Sequence, residues 1–346
     1  MSIKQWKYGA LVSLAALVAG LQGCASVPDG AVAIERQGSF FVGGRDVTLE
    51  GIPGVKLPSG ITLEQNGQFL VESTYVSFQV PATRRSPHSL VMVHGGGHTG
   101  AVYESTPDGR EGWSTRFLRW GHAVHVVDLV ERGRAGFARM PQVWKDAPVY
   151  VSKREAWETF RLGAPGSWAD ASTARRGNPG SQFPEAAFDD YMRQLVPRWL
   201  PHNALLTNGL DQVVQRVGST ILLTHSQSGP FGWEVAKRRP ELVKGIVAIE
   251  PSRAALAAAD LPKLRGIPVL IVWGDFVPGS PVWSRFSADS EKFAADLRAA
   301  GVDVTLVRLP ERGIRGNTHL PMLDRNSDEV ARLVQQWMVE KKLVDG

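Results

Sequence analysis

The stretch that decides the fold lies in the second half of the chain and reads Thr220-Ile-Leu-Leu-Thr-His-Ser-Gln-Ser-Gly-Pro230. It begins as a short and almost continuously apolar run, which is typical of a strand buried on both faces of a sheet. A turn of small residues follows, and then a segment with helical periodicity at 229–239. A buried strand, a sharp turn and a helix in direct succession predict an α/β domain with a parallel sheet.

The rest of the chain repeats this alternation. Similar apolar runs occur at 90–94, 123–128, 245–250, 269–273 and 302–309, and helix-period segments at 287–300 and 327–344. We therefore expect a mostly parallel central sheet flanked by helices. Residues 25–88 differ, because short β-type runs at 38–42, 47–49 and 69–80 alternate there with Gly and Pro turns.

Composition excludes several classes of protein. The 346 residues are 43% hydrophobic and 21% charged, which is ordinary for a globular protein and excludes a disordered or coiled-coil chain. The 39 basic and 34 acidic residues are interspersed without a polybasic arm, so we expect no nucleic-acid partner. A single cysteine excludes an intrachain disulfide and a cysteine-based zinc site. The oligomeric state is not indicated.

Residues 1–24 resemble an export signal. Two lysines precede an apolar run at 10–21 that is too short to span a bilayer, and the run ends in Leu21-Gln-Gly-Cys24. This ending resembles the lipobox of bacterial lipoproteins, which predicts lipidation of Cys24 and an outer-membrane lipoprotein facing the periplasm or the surface. The alternative is an ordinary signal cleaved after Ala25, which gives a periplasmic or secreted protein.

A long segment at 137–217 interrupts the alternation of strands and helices. It is rich in aromatic residues, and a structureless loop of this length is uncommon in a compact domain. We predict a largely helical cap at 137–217, inserted into a core formed by 25–136 and 218–346. Trp157 and Phe183 are candidate substrate contacts, and the alternative is that the aromatic residues form the cap's own small core.

The turn in the deciding stretch is a near match to the nucleophile elbow, G-x-S-x-G. Thr224 and Ser228 replace the two glycines, and small residues are needed there because the strand and the helix approach closely. This register makes Ser226 the candidate nucleophile. Ser228 is the rival, but its register would place Pro230 at a position that requires a small residue.

Two further motifs complete a candidate catalytic set. His94-Gly-Gly-Gly-His-Thr-Gly100 follows a buried strand and suits an oxyanion hole, with backbone N–H groups of Gly96 and Gln227 as donors. His94 is expected to pack against the loop, and His98 either lines the entrance or is exposed. The candidate base is His319, which lies between the last predicted strand and the C-terminal helix.

The order and spacing of these motifs, together with Asp128-Leu-Val-Glu-Arg-Gly-Arg-Ala-Gly136, resemble the α/β-hydrolase superfamily over roughly residues 65–345. The resemblance implies the α/β-hydrolase fold, with the cap as its variable part, and a triad of serine, histidine and an acid. Arg132 and Arg134 have two interpretations, either as structural residues or as groups that orient an anionic substrate. We favour the structural role, and we expect Asp128 to organise its loop.

The triad acid departs from the common pattern. Most members carry it in the turn after the strand at 269–273, where this chain has Val277, and Asp275 stands earlier in that turn. One strand earlier, Glu250 ends the run at 245–250. The Ser-Gln-Ser-Gly, Ile-Glu-Pro and Gly-Asn-Thr-His segments resemble a small group of bacterial esterases with a glutamate at this place. We predict Glu250 as the acid, with Asp275 as the alternative. A non-catalytic interpretation of Glu250 is an ion pair with Arg253.

These resemblances imply a carboxylic-ester hydrolase that acts on a small-molecule ester without a metal or an organic cofactor. The same triad also suits a lactone, thioester, amide or polyester. A different alternative is a lipoprotein that uses the hydrolase fold only for binding.

Overall fold

The central sheet has eight strands in the computed structural model, which describes residues 31–345. The predicted signal peptide at 1–24 and Cys24 lie outside the described residues. From Ala33 onward the chain forms one compact unit. Within residues 31–345, no helix has both the length and the apolar character needed to cross a membrane.

Strands of the large sheet lie in the order β1-β4-β6-β5-β7-β8-β9-β10. β1 and β4 form an antiparallel hairpin, β4 pairs antiparallel with β6, and all further pairs are parallel. β2 and β3 form a separate two-stranded sheet. The strands are β1 Ile34–Leu49, β2 Val55–Lys56, β3 Thr62–Leu63, β4 Gly67–Pro81, β5 Ser89–Val93, β6 Val124–Asp128, β7 Thr220–His225, β8 Val243–Ile249, β9 Val269–Trp273 and β10 Val304–Arg308.

The apolar runs of the sequence correspond to the parallel strands, and the predicted fold class is confirmed. Every residue of β7 and of β9 is buried, as expected for strands covered on both faces. The N-terminal region differs from the prediction in one respect. The runs at 38–42 and 47–49, which the sequence suggests as separate, belong to the single strand β1. Its pairing with β4 continues through Gly43, whose positive φ of 74° does not end the strand.

Helices flank the sheet, and three of them share its main hydrophobic core. Apolar side chains of α5, α6 and α7 pack with those of β5, β7, β8 and β9. α2 and α8 pack against each other, and the Trp113 indole donates to the Ser327 carbonyl at 3.0 Å. The helices are α1 Ala101–Glu104, α2 Trp113–Arg119, α3 Lys153–Thr159, α4 Phe188–Met192, α5 Asn203–Val217, α6 Ser228–Arg238, α7 Pro281–Ala299 and α8 Ser327–Glu340.

The segment predicted as a cap divides into two parts. Residues 137–202 contain the short helices α3 and α4 and three single-turn 3₁₀ helices, joined by irregular chain. α5 behaves differently, because Leu206, Leu210 and Val213 pack into the main core. The name "cap" is used below for residues 137–202 only.

Candidate active site

The candidate nucleophile Ser226 stands at the sharp turn between β7 and α6. Its φ of 52° lies in the left-handed region, which a non-glycine residue adopts at a cost and which often marks functional sites. Small residues let the helix approach the strands: a β-carbon on Gly232 would lie 2.9 Å from Thr224 Cγ2, and one on Gly229 would lie 2.6 Å from Pro251 Cβ. The local sequence therefore favours this strained turn.

Ser228, the rival nucleophile, is buried and its hydroxyl is engaged in hydrogen bonds. Its Oγ accepts from the His225 N–H at 2.9 Å and donates to the Val93 carbonyl at 3.0 Å. The side chain is fully inaccessible to solvent. Ser228 thus joins β7 to β5 beneath the turn, which is a structural role.

Glu250 and His319 lie in direct contact. The Glu250 backbone follows β8 with a positive φ of 47°. The His319 Nδ1–H donates to Glu250 Oε2 at 2.7 Å, and both side chains are buried. The other carboxylate oxygen accepts from the Gly274 N–H at 2.7 Å and from Arg161 Nη2 at 2.5 Å. Three donors from separate parts of the chain meet at this carboxylate.

Asp275, the alternative acid, has a different set of partners. Its carboxylate accepts from the backbone N–H of Phe276 at 2.8 Å and of Gly316 at 3.0 Å. These bonds tie the turn after β9 to the loop that precedes His319. The other alternative, an ion pair between Glu250 and Arg253, is wrong, because the basic residue that pairs with Glu250 is Arg161.

Burial and neighbouring charged groups shift the pKa values of Glu250 and His319. Burial alone would raise the pKa of Glu250, but the Arg161 charge and the His319 hydrogen bond outweigh it and hold that pKa below 4.5. Burial lowers the pKa of the His319 imidazole below 6.5, and the partnership with Glu250 only partly opposes this. The ground state at neutral pH is therefore a neutral imidazole held by a carboxylate.

The remaining ring nitrogen of His319 is free. Its Nε2 is buried and has no hydrogen-bond partner among the described residues. The ring stacks on that of Phe160 at a centroid distance of 5.6 Å, and the Trp283 ring centroid lies 3.8 Å away. The His319 N–H donates to the Phe160 carbonyl at 3.0 Å, and its carbonyl accepts from His225 Nε2 at 2.8 Å. Aromatic contacts and both backbone polar groups of the residue therefore hold the imidazole in place.

The structure does not form a hydrogen bond between Ser226 Oγ and His319 Nε2. Hydrogen bonds of catalytic groups are often long or misaligned in unliganded structures, so this absence alone does not exclude the pair. His225 contacts both residues: it precedes Ser226 in the chain, and its ring centroid lies 4.7 Å from that of His319. Ser226 and His319 therefore both lie next to this buried histidine.

The glycine-rich loop lies against the Ser226 turn. A β-carbon on Gly95 would come within 3.1 Å of Ser226 Cβ and 2.7 Å of His225 Nδ1, so only glycine fits this approach. Within residues 31–345, the N–H groups of Gly96 and Gln227 donate no hydrogen bond. Two backbone donors without a partner among these residues therefore lie close to the candidate nucleophile, one in the next residue and one in the adjoining loop.

Both histidines of the glycine-rich loop have structural contacts. His94 Nδ1 donates to the Gly95 carbonyl at 2.9 Å while its Nε2 accepts from the Leu129 N–H at 3.2 Å, as expected for a residue that packs against the loop. His98 is buried, so the alternative that it is exposed is wrong, while its place at the entrance to the substrate site stays a prediction. It is 1% exposed, its Nδ1 donates to the Gly96 carbonyl at 2.9 Å, and its Nε2 accepts from the Tyr191 hydroxyl at 2.8 Å.

Comparison with known proteins agrees with the fold and with hydrolase chemistry. A solved structure described as a novel bacterial esterase is 32% identical, with a TM-score of 0.80, over 91% of this chain and 98% of that one. "Probable secreted lipase phiG" from a fungal species (strain ATCC 74256) is 28% identical over 333 residues, 79% of this chain and 87% of the lipase. No family model matches the sequence. The chain belongs to the α/β-hydrolase superfamily. These esterase and lipase relatives make it a carboxylesterase-type hydrolase.

Sequence reasoning missed one residue at the candidate site of this hydrolase, Arg161. Its guanidinium pairs with Glu250 and also donates from Nε to the Asp275 carbonyl at 2.9 Å, and the side chain is 2% exposed. It lies in the irregular chain that follows α3, where no periodicity or motif distinguishes it. Only the folded cap brings this charge to the carboxyl ends of β8 and β9.

The charged residues after β6 divide into two groups in this α/β-hydrolase. Asp128 accepts from the Gly100 N–H at 2.6 Å and from Arg134 Nε at 2.7 Å, which fits a loop organiser and a structural arginine. Arg132 is instead fully buried and pairs with the adjacent Glu131. Its guanidinium also reaches the Gln227 side chain at 3.3 Å, close to the candidate nucleophile.

The cap aromatics proposed as substrate contacts lie inside the cap of the hydrolase. Trp157 and Phe183 have no exposed surface. Trp157 meets Phe188 edge-to-face at 5.1 Å, and Phe183 meets Tyr191 at 5.6 Å. These contacts fit the alternative that the aromatic residues form the cap's own core, and a role in substrate binding stays a prediction. Within residues 31–345 no cluster of three or more His, Cys, Asp or Glu side chains could hold a metal ion.

Proposed function

We propose that this hydrolase is a serine esterase with Ser226, His319 and Glu250 as its catalytic triad. The observation that carries the proposal is the buried 2.7 Å hydrogen bond between Glu250 and His319. A carboxylate that accepts from Nδ1–H fixes the tautomer whose lone pair is on Nε2, the atom without a partner. A buried neutral base with a free Nε2, beside a serine on a strained turn, is the arrangement that activates a hydroxyl nucleophile.

The reaction proceeds through an acyl-enzyme. His319 Nε2 takes the proton of Ser226 Oγ as the Oγ–C bond forms, and the carbonyl electron pair moves onto oxygen. Collapse of this tetrahedral intermediate breaks the bond to the alcohol oxygen, which receives the proton from the imidazolium. Water then attacks the acyl-enzyme with Nε2 again as the base. When this second tetrahedral intermediate collapses, the Oγ–C bond breaks, the imidazolium returns the proton to Ser226 Oγ, and the carboxylic acid leaves.

The backbone supplies the oxyanion hole in this proposal. The free N–H groups of Gly96 and Gln227 donate to the carbonyl oxygen as it becomes negative. A preorganised donor of this kind contributes about 3–4 kcal/mol to transition-state stabilisation in serine hydrolases. The His98 contact with the Gly96 carbonyl holds the loop in place.

Arg161 is a positioning residue for this triad. Together with the Gly274 N–H it holds Oε1 of Glu250, which leaves Oε2 directed at the imidazole. Its charge also keeps the carboxylate ionised in a buried place. Because Arg161 belongs to the cap, the acid is correctly oriented only when the cap is folded onto the sheet.

We also propose that the protein is exported and that Cys24 carries a lipid anchor. The support is the lipobox-like ending Leu21-Gln-Gly-Cys24 and a relative that is described as secreted. Diacylglycerol attached to Cys24 would hold the enzyme on a membrane surface without a spanning helix. Mass spectrometry of the N-terminal peptide should find an acylated cysteine in the membrane fraction, and Cys24→Ser should release the enzyme. An unmodified N-terminus after residue 25 contradicts the anchor.

The test of the esterase compares two serines that lie two positions apart. With short-chain 4-nitrophenyl esters, Ser226→Ala should abolish turnover and leave the circular dichroism spectrum unchanged. Ser228→Ala should keep turnover, with a lower midpoint of thermal unfolding because two buried hydrogen bonds are lost. Retention of most activity in Ser226→Ala contradicts the assignment. Parallel assays with lactones, thioesters, amides and polyesters separate the alternative substrates, and a folded protein that turns over none of them would favour a binding lipoprotein.

A further inference from the structure

Two arginines meet beside the oxyanion residues. Arg132 follows β6 and donates from Nη2 to the side-chain oxygen of Gln227 at 3.3 Å. Arg198 comes from the cap, and its Nη1 lies only 2.4 Å from the point that a β-carbon on Gly96 would occupy. Both guanidinium groups therefore reach the two residues whose backbone N–H groups form the proposed oxyanion hole.

Of these two cations, only Arg132 is paired with a carboxylate of the described chain. Glu131 accepts from Arg132 Nη2 at 3.0 Å, and it also accepts from the Trp199 N–H at 3.0 Å and from His202 Nδ1 at 2.6 Å. Arg132 Nε also donates to Oε1 at 3.2 Å, so both oxygens of Glu131 are occupied by groups other than Arg198. Arg198 forms no ion pair and no side-chain hydrogen bond in the part of the chain that the structure describes. One positive charge is left without a counter-charge.

Each of the two arginines also has a buried N–H group that lacks a hydrogen-bond acceptor among the described residues. Arg132 Nη1 and Arg198 Nε are both buried, and neither has a partner among residues 31–345. Arg132 itself is fully inaccessible to solvent. Buried cationic donors without acceptors are costly, and a bound anion is the simplest group that satisfies them. Burial lowers the pKa of Arg132, Glu131 opposes this, and the nearby Arg198 charge lowers it further, consistent with an excess of positive charge.

We propose that Arg132 and Arg198 form a carboxylate-binding subsite, and that the preferred substrate is an ester with a free carboxylate a few bonds from its ester carbonyl. The inference rests on the proposed esterase function of Ser226. A planar guanidinium matches a carboxylate in a bidentate geometry, which makes arginine well suited to this ligand. Arg198 lies against Gly96 and Arg132 contacts Gln227, and these two residues supply the proposed oxyanion hole. A carboxylate bound by the arginines would therefore lie next to the carbonyl under attack.

The kinetic test uses matched esters that differ in one charge. Monomethyl glutarate and dimethyl glutarate place or remove a carboxylate on the acyl side, and acetoxyacetate and methyl acetoxyacetate do so on the alcohol side. We expect kcat/KM to favour the charged ester about 10- to 100-fold in at least one pair, the range for one hydrogen-bonded charge. The responding pair identifies the side of the ester that faces the arginines.

Variants of Arg198 test whether this preference comes from the subsite. Arg198→Met should reduce the preference to near unity, and Arg198→Lys should keep part of it, because an ammonium retains the charge but not the bidentate geometry. Arg134→Met is the matched control: its guanidinium lies on the loop of Arg132 but is paired with Asp128 and Glu104. It should leave the preference unchanged. A preference that survives in Arg198→Met overturns the proposal.

A binding experiment separates failure of the subsite from failure of the esterase. Calorimetry with the Ser226→Ala protein should detect glutarate binding that Arg198→Met abolishes and that neutral glutaramide does not reproduce. Equal kcat/KM for charged and neutral esters in an enzyme that depends on Ser226 overturns the subsite and keeps the esterase. Glutarate binding that depends on Arg198, in a protein that hydrolyses no ester, supports the subsite and contradicts the esterase.

Discussion

Replacing Arg161 with methionine should change both the stability of the enzyme and its dependence on pH. The substitution removes the 2.5 Å ion pair and leaves Glu250 buried with only His319 and Gly274 as partners. Loss of one member of a buried pair typically costs about 3–5 kcal/mol, because the remaining charge has no compensation. We expect a decrease of that size in the free energy of unfolding, measured by urea denaturation with tryptophan fluorescence.

The pH dependence of the same variant follows from the charge of Arg161. That charge lowers the pKa of the His319 imidazole and of the Glu250 carboxyl in the native enzyme. Its removal therefore raises the pKa of His319. The base must be neutral to act, so the acidic limb of kcat/KM against pH should move to higher pH in Arg161→Met. Arg161→Lys should restore part of this shift, since it returns the charge without the bond to the Asp275 carbonyl.

Arg175 provides the control for this experiment. It is also a cap arginine, but it stacks over Trp168 at 4.3 Å and pairs with Asp189, away from the triad. Arg175→Met should leave the acidic limb where it is. An Arg161→Met enzyme with an unchanged acidic limb and a loss of stability below about 1 kcal/mol, as for a surface ion pair, refutes the positioning role.

Four further substitutions test other parts of the site. Glu250→Gln should lower kcat on the order of 10⁴-fold, as loss of the triad acid does in serine proteases. Asp275→Asn should keep most of the activity. The opposite result for the two variants would identify Asp275 as the acid. Gly95→Ala would place a β-carbon 2.7 Å from the His225 ring. We therefore expect the free energy of unfolding to decrease by about 1–3 kcal/mol and kcat to fall. A fully active and stable variant would contradict the close approach of the two segments. Burial raises the pKa of Asp324 to about 7 from 3.8, so the folded state binds its proton more tightly than the unfolded state. The stability that the Asp324 carboxyl contributes should therefore fall as the pH rises from 3.8 to about 7. Urea denaturation below and above pH 7 should show this decrease in the unsubstituted enzyme and not in Asp324→Asn.

The sheet and the elbow were predictable because their signals are local. Buried strands such as β7 and β9 are apolar at nearly every position, and the small residues around Ser226 are required by the close approach of α6. Glu250 could be proposed because the carboxyl ends of neighbouring parallel strands meet at one edge of the sheet. Each of these inferences needs only a few consecutive residues.

The cap contacts were not predictable from the sequence. Arg161 and Arg198 lie in irregular chain, and what each does depends on where the cap rests on the sheet. The burial of His98 was not predictable for a related reason, because a histidine in a glycine-rich loop gives no sign that the Tyr191 hydroxyl will cover it. The inclusion of α5 in the cap reflects the same difficulty, since an amphipathic helix does not reveal which surface its apolar face will meet.

Labelling with a fluorophosphonate tests the central claim, an activated Ser226, most directly and without knowledge of the substrate. The mature enzyme is treated with the probe, digested, and the modified peptide is identified by mass spectrometry. The account predicts modification at Ser226 that is lost in His319→Ala. Modification of Ser228, or labelling of Ser226 that does not depend on His319, would contradict it.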